Sequence, residues 1–365
     1  MVEWKKLGDV CSLKARIGWQ GLTQKEHKTT GEYLLVTGTD FTSNYEVDFD
    51  HCVYVDEERY TQDPNIQLRQ NDVLITKDGT LGKMAVIENL PKPATLNGGL
   101  FVIRDLTGKI HHKYLLHYML SSKFQSIIES NHTNGTIKHL TQALLTNFPI
   151  PIPTLEKQLE IVRILDTFTA SIDNLKEQIA QRRKQFEYYR DHIIKNNFST
   201  YPNAILKDVA IIKNGKDYKD LNSGSFPVYG SGGIMTYVNK YASDKPSVLL
   251  PRKGSIDNIF YVDKPFWTVD TIYWTDINTS KVLPKYLFDS LSIYNLKEYA
   301  YGGARPSLSQ PILYKLALPI PPLSEQQRIV DILDKFEASI QNLEAQLSQR
   351  EKQYEYYRNK LLTFD

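Results

Sequence analysis

A long helical segment occurs twice in this chain, and the repeat constrains the fold more than any other feature of the sequence. Pro151-Ile152-Pro153 opens the first copy, and Pro319-Ile320-Pro321 opens the second. The shift in numbering that takes position 151 to position 319 is called the repeat shift below. About half of the positions that it aligns are identical. Similarity at one fixed period predicts that the chain contains two copies of one structural unit.

Within each copy, apolar residues recur in alternating steps of four and three, which is the seam pattern of a coiled coil. The seam of the first copy consists of Ile161, Leu165, Phe168, Ile172, Leu175, Ile179, Phe186, Tyr189 and Ile193. The seam of the second copy consists of Ile329, Leu333, Phe336, Ile340, Leu343, Leu347, Tyr354, Tyr357 and Leu361. Arg182 and Arg350 fill the one seam position that is not apolar. Because no Gly or Pro interrupts either run, each predicts a helix of about 40 residues and about 60 Å.

A seam this narrow needs a partner helix. The other copy within the same chain has the same length and pattern, and it is always present at high effective concentration. We therefore expect the two helices to pair antiparallel, with a globular domain at either end and approximate two-fold symmetry. A homodimeric zipper is the alternative reading of the same heptads.

Composition excludes several classes of protein. The 365 residues carry a formal net charge of +2, so no global field marks a nucleic-acid binder and any basic surface must be local. The two cysteines, Cys11 and Cys52, form no paired framework, which favours a reducing compartment. No signal-peptide core and no run of about 18 apolar residues is present. These features predict a soluble, cytoplasmic protein with no membrane partner.

Short β-type runs separated by turn residues fill the first globular segment. These runs are residues 33–36, 52–55, 72–75, 84–87 and 100–103. A helix is predicted from His112 to Ser130, followed by a stiff, extended proline-rich exit, because alternating prolines fit neither a helix nor a central strand. The second segment repeats the plan with weaker similarity. We predict an α+β fold with domains at 1–153 and 201–321, each mostly β with small helices, and long helices at 154–200 and 322–365.

No catalytic constellation is recognisable. The sequence lacks the GxxxxGK[ST], HExxH, GxSxG and GxGxxG patterns, and the tetrapeptide and glycine-rich loop of an adenine methyltransferase. The eight histidines are scattered, and no metal-ligand spacing stands out. We therefore expect no catalytic residue, no metal site and no cofactor on this chain.

Polar, glycine-containing loops in both segments hold the side chains that contact phosphates and base edges in protein–DNA complexes. The candidates in the first segment are Lys14, Arg16, Trp19, Gln20, Thr37, Thr39, Lys77, Asp78, Thr80, Lys83, Asn97, Asn134, Thr136, Lys138 and His139. The candidates in the second segment are Lys216, Tyr229, Ser231, Arg252, Lys253, Ser255, Asp270, Tyr301, Arg305 and Ser307. Such loops also occur as ordinary turns in proteins that bind no DNA.

Two variable β-rich domains that alternate with two helices of the type PIPxLxxQxxIVxILD…EYYR resemble the specificity (S, HsdS) subunit of type I restriction-modification systems. The resemblance covers the whole chain, and residues 151–166 and 319–334 are its most specific parts. It implies that the domains are target recognition domains, each of which reads one half of a split, asymmetric site in double-stranded DNA. It also implies that the long helices set the spacer between the half-sites and bind two methyltransferase (M) subunits.

The same resemblance implies that restriction (R) subunits join the complex. S-adenosylmethionine, ATP and Mg are then expected only on partner subunits, and this chain is a non-catalytic recognition subunit. The sequence leaves two alternatives open. One is a coiled-coil adaptor whose domains bind proteins and not DNA, and the other is a stand-alone methyltransferase or nuclease, which the missing motifs disfavour.

Overall fold

The computed structural model describes residues 2–18, 21–130, 140–303 and 306–364, which form two compact units. Unit 1 comprises Met1–Glu177 and Ala345–Asp365, and unit 2 comprises Gln178–Glu344. Each unit contains one β-rich domain together with parts of both long helices. The predicted α+β class, with two mostly β domains and two long helices, is confirmed.

The elements of the first domain are short. Its strands are β1 (Glu3–Lys6), β2 (Cys11–Lys14), β3 (Tyr33–Val36), β4 (Val53–Val55), β5 (Val73–Thr76), β6 (Met84–Val86), β7 (Ala94–Leu96), β8 (Leu100–Asp105) and β9 (Pro149–Ile152). Its helices are α1 (Leu7–Val10), α2 (Glu57–Thr61), α3 (His112–Met119), α4 (Ser122–Ser130) and α5 (Gln142–Asn147). The first long helix, α6, follows at Leu155–Thr200. Each of the five predicted β-type runs overlaps a strand, namely β3, β4, β5, β6 or β8, with bounds that differ by a few residues.

The second domain lies between the long helices in sequence. Its strands are β10 (Asn203–Ile205), β11 (Ala210–Asn214), β12 (Ser223–Gly230), β13 (Gly233–Val238), β14 (Ser247–Pro251), β15 (Phe260–Val262), β16 (Trp267–Thr268), β17 (Ile272–Ile277) and β18 (Ala317–Pro319). Its helices are α7 (Leu206–Val209), α8 (Pro284–Leu291) and α9 (Gln310–Leu313). The second long helix, α10, spans Leu323–Leu361.

The two domains share one sheet topology. In the first domain a four-stranded sheet has the order β2-β8-β5-β6, a three-stranded sheet has the order β4-β3-β7, and β1 pairs with β9. In the second domain the orders are β11-β17-β14-β15, β13-β12-β16 and β10-β18. A parallel pairing also recurs, as β3 with β7 and as β12 with β16. The predicted common scaffold therefore holds where sequence similarity is weak.

Within unit 2 the two long helices run antiparallel. Arg183 forms an ion pair with Glu344, and six residues later on α6 the ring of Tyr189 lies 5.4 Å from that of Phe336, which is eight residues earlier on α10. The seam guanidinium of Arg182 lies 6.0 Å from the Phe336 ring. The predicted seam arginine is thus stacked on an aromatic ring of the facing helix.

Unit 1 contains the corresponding helix contacts. The Phe168 and Tyr357 rings stack at 5.3 Å, and the guanidinium of Arg350 lies 5.7 Å from the Phe168 ring. The repeat shift takes Phe168 to Phe336 and Arg182 to Arg350. Equivalent arginine and phenylalanine side chains therefore meet between the two long helices in both units.

The first turns of each long helix pack on a domain core, in addition to the facing helix. Ile161 and Leu165 are fully buried in the unit 1 core with Tyr114 of α3. Ile329 and Leu333 are fully buried in the unit 2 core. The sequence pattern assigned these positions to a helix–helix seam alone. They instead fix the start of each helix to its domain.

One local prediction is wrong. The single helix expected from His112 to Ser130 is divided into α3 and α4 at Leu120 and Ser121, where the Ser121 hydroxyl donates to the carbonyl of Tyr118 at 2.6 Å. The proline-rich exit is extended, as predicted, and it forms an edge strand: β9 pairs antiparallel with β1, with Pro151 opposite Trp4. This two-stranded sheet leaves β9 at an edge, where a residue without an N–H is tolerated.

Cys11 and Cys52 are both buried, and neither forms a disulfide. Within residues 2–18, 21–130, 140–303 and 306–364, no helix has the length and apolar character needed to cross a membrane.

Candidate nucleic-acid interface

Three loops of unit 1 that carry predicted DNA contacts are joined by backbone hydrogen bonds. They are residues 37–40 after β3, residues 77–83 after β5, and residues 97–99 after β7. The Lys77 N–H donates to Gly99 O at 2.9 Å, and the Asn97 N–H donates to Val36 O at 2.9 Å. The structure therefore brings Thr37, Thr39, Lys77, Asp78, Thr80, Lys83 and Asn97 onto neighbouring loops.

The loop after β5 is a preformed turn. The Thr76 hydroxyl donates to Thr80 O and accepts from the Lys83 N–H at 2.9 Å. Gly79 and Gly82 adopt φ values of 72° and 77°, in the left-handed region that favours glycine. This turn leaves the side chains of Asp78 and Thr80 exposed.

Lys83 has a structural role in this cluster. Its ammonium group donates to Gly38 O at 3.2 Å and to Phe41 O at 2.8 Å, and it lies 5.8 Å from the Phe41 ring. These contacts connect the loop after β5 to the loop after β3. Lys83 therefore holds two loops of the candidate surface together. Lys14, at the end of β2, is exposed.

Arg16 departs from the sequence prediction. Only 2% of the residue is exposed. Its Nε donates to Leu96 O at 3.0 Å and its Nη2 donates to the Thr95 hydroxyl at 3.1 Å. Burial lowers the pKa of the guanidinium. Arg16 is thus an internal brace of unit 1 and not the DNA contact predicted from the sequence. Local sequence does not reveal this role, because Leu96 and Thr95 lie on β7, far from Arg16 along the chain.

In unit 2 the turn of the β12–β13 hairpin packs on the loop after β14. The Ser231 N–H donates to the Thr271 hydroxyl at 3.2 Å, and the Ser231 hydroxyl accepts from the Ser255 N–H at 3.3 Å. Gly254 has a φ of 89°, and a Cβ there would lie 2.8 Å from the Ser231 hydroxyl oxygen. Glycine at this position therefore permits the close approach of two loops that carry predicted contacts.

An open cleft of about 470 Å³ lies beside that loop. The predicted residues Arg252, Lys253, Tyr301 and Ser307 line it. Backbone bonds in both directions pair Tyr301 with Ser307, at 3.0 and 2.8 Å. Widely separated parts of the sequence thereby meet at one surface.

The two basic side chains at this cleft, Arg252 and Lys253, both contact Asp270. The Lys253 ammonium lies 2.7 Å from the carboxylate of Asp270, and both side chains are about half exposed. The Arg252 guanidinium donates to Asp270 O at 3.3 Å and lies 5.8 Å from the ring of Tyr273. A phosphate approaching this cleft would compete with Asp270 for Lys253.

Several polar residues that line the same cleft are absent from the set predicted from the sequence, including Asn214, Ser309 and Gln310. One signal was available: the repeat shift takes Gln142 to Gln310, and each is the first residue of a short helix. Polar residues next to helix starts are common, so this signal alone does not single them out.

Two predicted residues of unit 2 lie elsewhere. Lys216 is exposed, and its carbonyl accepts from the Trp267 indole N–H at 2.9 Å. Tyr229 is half-buried with its ring 5.9 Å from that of Phe260, and burial raises its pKa. Neither residue lines the cleft. The remaining candidates lie outside the described residues: Trp19, Gln20, Asn134, Thr136, Lys138, His139 and Arg305.

Across the part of the chain that the structure describes, no group of three or more His, Cys, Asp or Glu side chains is placed to hold a metal ion. The candidate surfaces are instead polar loops with lysine, arginine, hydroxyl and amide groups. Those are the groups that contact phosphates and base edges.

Comparison with known proteins identifies the class of this duplicated fold. A family model described as the type I restriction modification DNA specificity domain matches residues 1–182 and again residues 200–351. The two matches correspond to the two repeats. The class is therefore a tandem pair of DNA specificity domains.

The chain belongs to the family of specificity subunits of type I restriction-modification systems. It is 32% identical over 290 residues to a putative type I restriction enzyme specificity subunit of Haemophilus influenzae, and the match covers 70% of this chain and 73% of the relative. It is 24% identical over 416 residues to the EcoR124I/EcoR124II specificity subunit of Escherichia coli, covering 100% of this chain and 94% of that protein.

Solved structures share the fold. The crystal structure of a type I restriction-modification S subunit from M. genitalium aligns with a TM-score of 0.60 at 17% identity, covering 100% of this chain and 97% of that one. A chain from a study of complex assembly and conformational transition in the type I system aligns with a TM-score of 0.62 at 15% identity, covering 100% and 98%.

Proposed function

We propose that this chain is the non-catalytic DNA-recognition subunit of a type I restriction-modification complex, in which each unit reads one half of a bipartite, asymmetric site. One observation carries the proposal: the two domains repeat one topology but present different side chains on corresponding loops. The loop after β5 contains Lys77-Asp78-Gly79-Thr80, and the loop after β14, its topological equivalent, contains Arg252-Lys253-Gly254-Ser255. A common scaffold with unlike loops suits the reading of two unlike sequences.

We further propose that the long helices bind two M subunits and set the spacer between half-sites. Large exposed side chains on the helices support a protein interface. Tyr188 and Tyr189 on α6 are 64% and 45% exposed, and their repeats Tyr356 and Tyr357 on α10 are 59% and 41% exposed. Aromatic side chains are enriched at protein–protein interfaces relative to the rest of the surface. Their recurrence at one shift provides two equivalent surfaces for two copies of a partner.

On this proposal the chemistry resides on the partners. The M subunits would carry S-adenosylmethionine, and R subunits, when they join, would use ATP and Mg. The chain would act in the cytoplasm, where bacterial DNA is accessible to the complex.

The proposal is tested by expressing the chain with its M partner in a host that lacks adenine methylation, and then sequencing the modified bases of the host genome. We expect methylation confined to one bipartite motif. M expressed alone is the control and should give no such motif. Modification that ignores sequence, or that does not require this chain, would contradict the proposal.

Spacer control is tested by inserting one heptad into both long helices, near Ala180 and Ser348, which are exposed positions away from the domain cores. One heptad adds about 10 Å of helix and preserves the seam register. We expect the gap between half-sites to lengthen, with the sequence of each half-site unchanged. An unchanged gap would contradict the role of the helices as a spacer.

The adaptor alternative is decided by DNA binding of the complex with M. A recognition subunit should bind DNA with a steep loss of affinity as salt concentration rises, because phosphate contacts release counterions. A complex that binds no DNA at low salt would favour the adaptor.

A further inference from the structure

The cleft of unit 2 contains a pair of linked amide side chains that has no assigned role. Asn214 is the last residue of β11, and Gln310 is the first residue of α9. The Gln310 Nε2 donates to the Asn214 Oδ1 at 3.3 Å. Both side chains line the open cleft of about 470 Å³ that also contains Arg252, Lys253 and Tyr301. The pair therefore lies on a surface that also holds four of the ten DNA candidates of this unit.

The bond between the two amides orients both of them. With Gln310 donating and Asn214 accepting, the bond uses one of the two N–H groups of the Gln310 amide, so its second N–H is left as a donor and its Oε1 as an acceptor. Among the residues that the structure describes, the Gln310 Oε1 has no hydrogen-bond partner, and the Nε2 has none besides Asn214. Asn214 is exposed and Gln310 is half-buried. The cleft thus presents an oriented donor and acceptor to whatever enters it.

This pattern complements one base in particular. In the major groove adenine presents the N7 acceptor and the N6 amino donor, and a side-chain amide satisfies both at once. Guanine presents two acceptors and is read by arginine or lysine. A second amide that braces the first reduces the rotamer entropy lost on binding.

The corresponding residue of unit 1 is used differently. Gln142 opens α5 as Gln310 opens α9, but its Nε2 donates to the backbone carbonyl of Leu13 at 3.1 Å. A backbone carbonyl is present whatever the residue, so this contact ties helix to strand without a second amide. Gln142 is therefore a matched control that shares the tethering contact and lacks the amide pair.

We infer that Gln310, braced by Asn214, reads the N6 and N7 edge of an adenine at one position of the half-site bound by unit 2. This assignment rests on the proposed function. It adds a specificity-determining residue for that half-site.

The experiment compares genome-wide methylation motifs of the S–M complex for the wild type, Gln310→Ala, Asn214→Ala and Gln142→Ala. We expect Gln310→Ala to reduce discrimination about 10- to 100-fold at a single A·T position of one half-site. Asn214→Ala should relax the same position more weakly. The other half-site and the gap should not change, and Gln142→Ala should retain the complete motif.

Thermal melting separates reading from tethering. If Gln310 only anchors α9, then Gln310→Ala and Gln142→Ala will lower the melting temperature and leave the motif intact, which overturns the inference. Relaxation at a G·C position also overturns it. If Gln310→Ala does not fold, the test uses Asn214→Ala, which changes an exposed residue, and again compares the methylation motif and the melting temperature with those of the wild type. A wild-type complex without a bipartite motif refutes the proposed function itself, whereas an intact motif in both variants refutes only this inference.

Discussion

The backbone N–H of His111 donates to the side-chain oxygen of Gln158 at 2.8 Å, which joins the segment before α3 to the first turn of α6. The Nε2 of Gln158 donates to Lys109 O at 2.7 Å and to Pro153 O at 2.9 Å, and the residue is fully buried. Gln158 thus has its amide satisfied on both sides. It fixes the position at which the long helix leaves the domain.

Unit 2 repeats this arrangement. Gln326, which is also fully buried, accepts from the Leu283 N–H at 2.8 Å and donates to Lys281 O at 3.0 Å and to Pro321 O at 2.9 Å. The glutamine of the PIPxLxxQ motif therefore has the same structural role in both repeats.

We predict that Gln158→Ala or Gln326→Ala destabilises its unit by about 3 kcal/mol, because three hydrogen bonds are lost and buried backbone groups are left unsatisfied. The midpoint of urea denaturation measures the change. Gln327→Ala, at the exposed neighbouring position, is the control and should shift the midpoint little. Equal effects at positions 326 and 327 would contradict this role for the buried amide.

Asp289 of α8 provides a second prediction. It is fully buried, and neither carboxyl oxygen has a hydrogen-bond partner among the described residues. Burial raises the pKa of this carboxyl to about 7. The Asp289 carboxyl therefore loses its proton near pH 4 in the unfolded chain and near pH 7 in the folded chain. The contribution of Asp289 to the free energy of unfolding is therefore most favourable below about pH 4, and it decreases as pH rises to about 7.

Asp289→Asn should remove this dependence. The stability of the wild type relative to the variant should fall with a slope of up to about 1.4 kcal/mol per pH unit between about pH 4 and pH 7, and then level off. Urea midpoints across that range measure it. Asp220→Asn, which alters an exposed carboxylate, should leave the pH profile unchanged.

At the same position of α3, counted from the start of the helix, unit 1 has His117. Its Nε2 lies 2.8 Å from the Asp166 carboxylate and its Nδ1 lies 3.1 Å from the Tyr354 hydroxyl. Burial lowers the pKa of His117 below its ordinary value, although Asp166 opposes this shift. The folded state therefore resists protonation. The stability that this group contributes is present above about pH 6.5 and is lost as pH falls through the lowered pKa.

We predict that His117→Gln flattens the acid limb of the stability profile of unit 1 below about pH 6.5. Denaturation monitored between pH 5 and pH 8 measures the effect. His51→Gln serves as the control, because the His51 side chain is 81% exposed and lies beside Asp48 at the surface. An acid limb that His117→Gln leaves as steep as in the wild type would exclude His117 as its cause.

Lys253→Ala should lower the affinity of the S–M complex for DNA through one half-site only. It should also reduce the magnitude of the slope of log affinity against log salt concentration by about 1. Asp270→Asn should have the opposite effect on affinity, because it removes the carboxylate that competes with phosphate for Lys253. Titration of labelled duplexes at several salt concentrations measures both changes. Weakened reading of both half-sites by Lys253→Ala would contradict separate reading by the two units.

The sequence by itself determined the duplication, the two long helices and the common plan of the two domains. These features follow from periodicity and composition, which are properties of contiguous residues. The predicted β-type runs also overlap strands, because short apolar runs and the turn residues that bound them are local signals. The same local reasoning failed at Leu120 and Ser121, where the chain turns within a run that otherwise reads as helix.

Tertiary structure alone decided the roles of individual polar residues. Arg16 is predicted from the sequence to contact DNA but is a buried brace. Gln158 appears in the sequence only as part of the repeated helix motif, but it makes three hydrogen bonds at the junction between helix and domain. The proline-rich exit became a strand because β1, at the opposite end of the domain's sequence, pairs with it. In each case the deciding partner is distant in the chain. The free energy of a polar group depends on whether folding supplies that partner or leaves the group in water.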